Sequence, residues 1–125
     1  MRRFRSLVAL SLAALVAGCA SLPPSKPIEG AASLAGTWRG RMSGPLGNAP
    51  MILTIQGDGA YQGVLYVEPT YREVRGMISV VRPGFARYEG NDGNGRVTLH
   101  EDEVQRVLRL VGDGGGRVAE LTPTK

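Results

Sequence analysis

The chain has 125 residues, 42% of them hydrophobic, with 18 glycines, one cysteine, a formal charge of +4 and a pI near 9.7. That length supports one modest core, and a single cysteine excludes an internal disulfide or a multi-thiolate metal site. The positive charge is local: residues 1–18 hold three arginines, and without them 12 Lys+Arg face 11 Asp+Glu, so the clustered basic surface of a nucleic-acid binder is absent.

Arg2, Arg3 and Arg5 precede 11 residues, Leu7 to Ala17, that are apolar except for Ser11. This is a secretory n-region and h-region, and it is too short to cross a bilayer, which takes about 20 apolar residues. The run ends in Leu15-Val16-Ala17-Gly18-Cys19, small residues directly before the cysteine. The segment resembles a bacterial lipoprotein signal peptide with its lipobox. The resemblance implies cleavage after Gly18, palmitate-type acyl chains on Cys19, and a membrane anchor of two or three chains, which holds where a single chain exchanges. Ala20, in place of an aspartate, implies by the same resemblance the outer membrane. The domain is expected to face the periplasm, and the sequence leaves the cell surface open as the other side. Phe4 directly after Arg2-Arg3 breaks the twin-arginine spacing, which leaves the general secretory route.

From Ala20 to Ser33 the chain carries Pro23, Pro24 and Pro27 among small and polar residues, without apolar periodicity. That composition predicts a flexible lipidated linker over 19–33. The folded domain is expected over 34–125. Within it, turn-forming residues recur too often for helices, and the runs between them have strand length. The expected strands are Gly36 to Met42, Met51 to Gln56, Ala60 to Val67, Glu73 to Val81, Phe85 to Glu89, Arg96 to His100, Gln105 to Val111 and Arg117 to Leu121. Eight short strands with tight connections predict an all-β, eight-stranded antiparallel up-and-down barrel, because closure removes the exposed edges.

Parity sets the register of the second hairpin. A two-residue Asp58-Gly59 loop would oppose Ile55 to Gln62 and mix polar with apolar residues on both faces. A three-residue Gly57-Asp58-Gly59 loop opposes Ile55 to Tyr61, Leu53 to Gly63 and Met51 to Leu65, which gives one apolar face and asks Gly59 for a left-handed backbone. The same register sets Ile52 against Val64 on the outer face, near Tyr66.

Gly36-Thr37-Trp38 on the first strand and Asp58-Gly59 after the second resemble the calycin pattern of lipocalins and avidins. The resemblance implies that Trp38 plugs one end of the barrel and that an arginine of the last strands, Arg109 or Arg117, lies across it. It carries an architecture, and no ligand of those families transfers with it.

Chemistry is sparsely encoded. Asp92, Asn94 and Glu103 fit positions 1, 3 and 12 of a calcium loop, but Arg96 and Val97 stand where an oxygen ligand and a glycine are needed. Gly112 to Gly116 lacks the Gly-Lys-Ser/Thr of a phosphate loop. His100, the single histidine, has no nucleophile and orienting acid at a recognisable spacing. No catalytic residue, metal or cofactor is expected. Two functions remain: an interaction module docking an envelope protein or a second copy through Ile52, Val64 and Tyr66, or a binder of a small apolar ligand inside a barrel lined by Trp38, Leu53, Ile55, Tyr61, Leu65 and Met77.

Overall fold

The computed structural model describes residues 22–45 and 47–124. Among them nine strands form one antiparallel sheet: β1 Ser25–Lys26, β2 Gly36–Gly44, β3 Gly47–Ile55, β4 Ala60–Val67, β5 Thr70–Arg82, β6 Phe85–Gly90, β7 Gly93–Glu101, β8 Arg106–Gly112 and β9 Val118–Pro123. From β2 onward each strand pairs with its sequence neighbour, and β9 pairs with β2, so eight strands close into a barrel. All eight expected strands are present, with ends that differ by a few residues. The ninth strand, β1, runs antiparallel beside β7, with Ser25 opposite His100 and Lys26 opposite Leu99.

The β3–β4 register is the one that parity requires. Ile55 opposes Tyr61, Leu53 opposes Gly63, Met51 opposes Leu65 and Ile52 opposes Val64. Gly59 has φ +98, and a side chain there would run into the Ile78 carbonyl. Its own carbonyl accepts from the Ile78 N–H at 2.8 Å, which staples the turn to β5. A left-handed residue pressed against backbone leaves glycine as the residue that fits.

The inward face alternates bulky residues with glycines. Tyr61 lies over Gly76 and Gly90: a Cβ on Gly76 would sit 2.5 Å from its hydroxyl, and one on Gly90 would overlap it. Tyr88 covers Gly95 in the same way. This packing explains a correction. Met77, expected inside, is 43% exposed and points outward, because Val74 and Ile78 face the core and strand residues alternate. The inward neighbour of Met77 is Gly76, whose small size leaves room for the phenol of Tyr61. Hydrophobicity marked the methionine, and register overruled it.

The strand ends define two poles. The β3–β4, β5–β6 and β7–β8 turns lie at one, here the closed end, and the β2–β3, β4–β5, β6–β7 and β8–β9 connections lie at the other, the mouth. At the closed end Trp38 is 1% exposed and donates its indole N–H to the Leu34 carbonyl at 2.8 Å. Burying such a side chain removes roughly 4–6 kcal/mol worth of apolar surface from water, an upper bound set by the extended-chain reference. Arg106, the first residue of β8, stacks on the indole at 5.2 Å, donates to the Ser33 carbonyl at 2.6 Å and pairs with Glu101 at 2.8 Å. An arginine does cross the tryptophan, but it is Arg106 and neither Arg109 nor Arg117. Arg109 lies on the outer face near Glu120, and Arg117 belongs to the mouth.

The segment expected to be a flexible tether is docked from Leu22 onward. Pro23 and Ile28 are buried, Ile28 within the core cluster, and a 3-10 turn over Ala31–Leu34 brings Leu34 beneath Trp38. The Glu101 N–H donates to Pro24 O at 3.1 Å, and His100 Nδ1 lies 3.1 Å from Pro23 O. A carbonyl only accepts, so Nδ1 carries the proton and Nε2 accepts from Thr98 Oγ1 at 3.2 Å. Prolines read as linker because they break periodicity, yet here they hold the chain extended along β7.

Candidate functional site

Side chains fill the interior. Trp38, Leu53, Ile55, Tyr61 and Leu65 all lie inside, each 9% exposed or less, and the cavity among Met51, Leu53, Tyr61, Val74 and Tyr88 measures about 30 Å³. That is room for about one water molecule. Larger spaces occur at the surface.

The first is a cleft of about 710 Å³ at the mouth, and proline chemistry opens it. Gln56 N–H bonds to Ala60 O, so by alternation the backbone groups of Thr54, Ile52 and residue 50 also face β4. Residue 50 is Pro50, which has no N–H, and β3–β4 pairing stops at Met51 opposite Leu65. Beyond that point the β2–β3 and β4–β5 hairpin tips part. The cleft between them has apolar walls from Met42, Leu65 and Val67 and charged margins from Arg41, Arg72 and Arg117.

Asp92, in the β6–β7 turn, anchors that margin. Its Oδ1 pairs with Arg72 at 3.0 Å, its Oδ2 with Arg117 at 3.1 Å, and its side chain is 16% exposed. Both oxygens are engaged by guanidinium groups, so it is a structural anchor and not a free base. Burial, and then the nearby charges of Tyr88 and Asp92, push the Tyr61 phenol up to about 12. Burial also raises Tyr88, with Asp113 adding to the effect. Both phenols stay neutral and serve as packing groups over Gly76, Gly90 and Gly95.

The second space is a groove of about 480 Å³ on the outer face of β3, β4 and β5. Ile52 and Val64 are half-buried in it and Tyr66 is 44% exposed, so the structure gathers these three in one place. Tyr66 also lines the mouth cleft, which makes the two surfaces continuous. Tyr71, opposite Tyr66 on β5, extends the patch and is 60% exposed.

Other residues weighed in the sequence are not brought together. Asp92 and Asn94 lie at the mouth, whereas Glu103 lies in the β7–β8 turn at the closed end, about 30 Å away along a nine-residue strand. Cys19 lies outside the described residues. The sequence reading missed Arg72, Tyr88 and Arg106. Arg72 was within reach of the parity argument, since two more pairs beyond Gly63 and Val74 set it against Leu65 on the inward face.

Comparison of the chain with protein-family models, with curated proteins and with solved structures gives no match.

Proposed function

We propose that this barrel is a non-catalytic interaction module of the cell envelope, carried on acyl chains at Cys19 and held at the periplasmic face of the outer membrane. The observation that carries the reading is the filled lower interior: among the described residues the space between Met51, Leu53, Tyr61, Val74 and Tyr88 is about 30 Å³, so a ligand of ordinary size has room at the mouth cleft and not deep in the barrel. A binder of a small apolar molecule is the alternative, and the mouth cleft is where such a ligand would sit. The working surface is the outer patch of Ile52, Val64 and Tyr66 with the adjoining cleft, and its occupant is an envelope protein or a second copy. Half-buried Ile52 and Val64 beside exposed Tyr66 and Tyr71, with Gln62, Glu73 and Arg75 around them, give an apolar centre with a polar rim, the composition of a contact surface. His100, the residue best suited to acid–base chemistry, is already occupied with Thr98 and Pro23, which supports the non-catalytic reading.

The test is chemical crosslinking in intact envelopes, comparing the unaltered chain with Ile52→Asp, Val64→Lys and Tyr66→Ala. Loss of the same adduct in all three, with thermal unfolding nearly unchanged, supports the module. Unfolding of the Ile52 or Val64 variant would make the patch core, and a small molecule released from the native protein on denaturation would favour the binder.

A further inference from the structure

We infer that the closed end of the barrel rests on the membrane surface, with Leu22 and Val104 at the contact, and that the mouth cleft points away from the bilayer. The inference rests on the proposed acylation of Cys19. Strand direction carries it. Because β1 is antiparallel to β7 with Ser25 opposite His100, following the chain back from Ser25 leads past Glu101 and out beyond the closed end. Pro23, Ile28 and the bonds to His100 and Glu101 hold that path in place. Three peptide units separate Cys19 from Leu22, and three units reach at most about 11 Å. An anchor at Cys19 therefore has no slack with which to lift the domain or turn it over.

The surface at that end suits a bilayer interface. Val104 is 92% exposed at the tip of the β7–β8 turn, and Leu22, beside the same turn, is 39% exposed. The Asp102 carboxylate accepts the Val104 and Gln105 N–H groups at 2.8 and 2.7 Å, which fixes the turn around its apolar tip. Those bonds hold Asp102 below the usual carboxylate range. Glu101 is likewise engaged by Lys26 and Arg106. Arg82, stacked at 5.0 Å on Phe85 in the β5–β6 turn, adds a cation at headgroup level. Exposed Glu103 and Asp58 lie at the same end, so the contact is made by the apolar tips and the anchor and not by a basic surface. The mouth is then carried roughly 20–25 Å out from the bilayer, the length of a nine-residue strand at ordinary barrel tilt.

The experiment uses the full-length product purified from membranes and reconstituted in phospholipid vesicles carrying a headgroup nitroxide. Val104→Cys and Gly114→Cys, at the closed end and the mouth, each place one free thiol for a fluorophore, since acylation consumes the Cys19 sulfur. Trp38 emission reports that each variant is folded, and mass spectrometry of the N-terminal peptide reports acylation. The expected result is an acylated N-terminus with fluorescence lost at position 104 and kept at 114. An acylated chain quenched equally at both positions, or more at 114, overturns the orientation and leaves the anchor standing. An unacylated N-terminus in the membrane-derived protein overturns both.

Discussion

Replacing Arg106 with alanine removes the group that joins the docked N-terminal segment, the plug tryptophan and β8. Two contacts carry most of the loss: the stack over Trp38 at 5.2 Å and the charged hydrogen bond to Ser33 O at 2.6 Å. A partly desolvated cation–π contact is worth about 1–2 kcal/mol and a charged hydrogen bond about 1.5–3 kcal/mol. The Arg106 side chain keeps 30% of its exposure, which favours the lower half of each range. The sum is about 2.5 kcal/mol, which lowers Tm by roughly 10–20 °C in a domain of this size. Urea unfolding of the acyl-free chain, starting at residue 20, measures it through Trp38, the single tryptophan, whose emission reports the plug itself. Arg106→Lys should recover less than half, because an ammonium cannot stack and fork at once. Arg109→Ala is the control: its pair with Glu120 spans 3.8 Å between half-exposed groups, so the cost should stay within about 0.5 kcal/mol. A loss at Arg106 no larger than that at Arg109 would refute the keystone role.

Three further outcomes follow from burial and register. Met77→Lys should alter stability by no more than about 0.5 kcal/mol, whereas Ile78→Ala next to it should cost about 2–4 kcal/mol, and a reversed order in denaturant titrations would overturn the strand parity. Ile28→Ala should cost about 2–4 kcal/mol by the same titration, because the residue is 3% exposed within the core, and a neutral result would return residues 22–33 to the status of a free linker. With the Tyr61 phenol at about 12 in the folded chain against 10 when free, folded and unfolded states both keep the proton below pH 10. Between pH 10 and 12 the unfolded chain releases it first, so stability should fall with rising pH there. Tyr61→Phe should flatten that fall relative to its own neutral-pH stability, and an identical alkaline slope in the two proteins would contradict the burial of the phenol.

Local chemistry made the strands legible in the sequence. Turn residues recur at strand-length intervals and alternate with apolar residues, and the parity of Ile55 and Tyr61 across Gly57-Asp58-Gly59 left one register with a single apolar face. Trp38 could be read as a core residue because so large an apolar surface needs burial, and its place at one end came from the resemblance of Gly36-Thr37-Trp38 to the calycin pattern. What the sequence could not yield depended on residues far apart along the chain. Arg106 reaches Trp38 and Ser33 because β8 enters the barrel beside the plug, and nothing local distinguishes Arg106 from Arg109. Pro23 and Ile28 pack because β7 offers a free edge past Val97, where β6 ends its pairing, and prolines carry the same local signal in a linker as in a docked extended strand. Met77 faces out and Gly76 faces in because Tyr61 claims the interior space. The mouth cleft combines both kinds of cause: the missing N–H of Pro50 is written in the sequence, but the place where its absence parts two hairpins was decided by closure of the barrel.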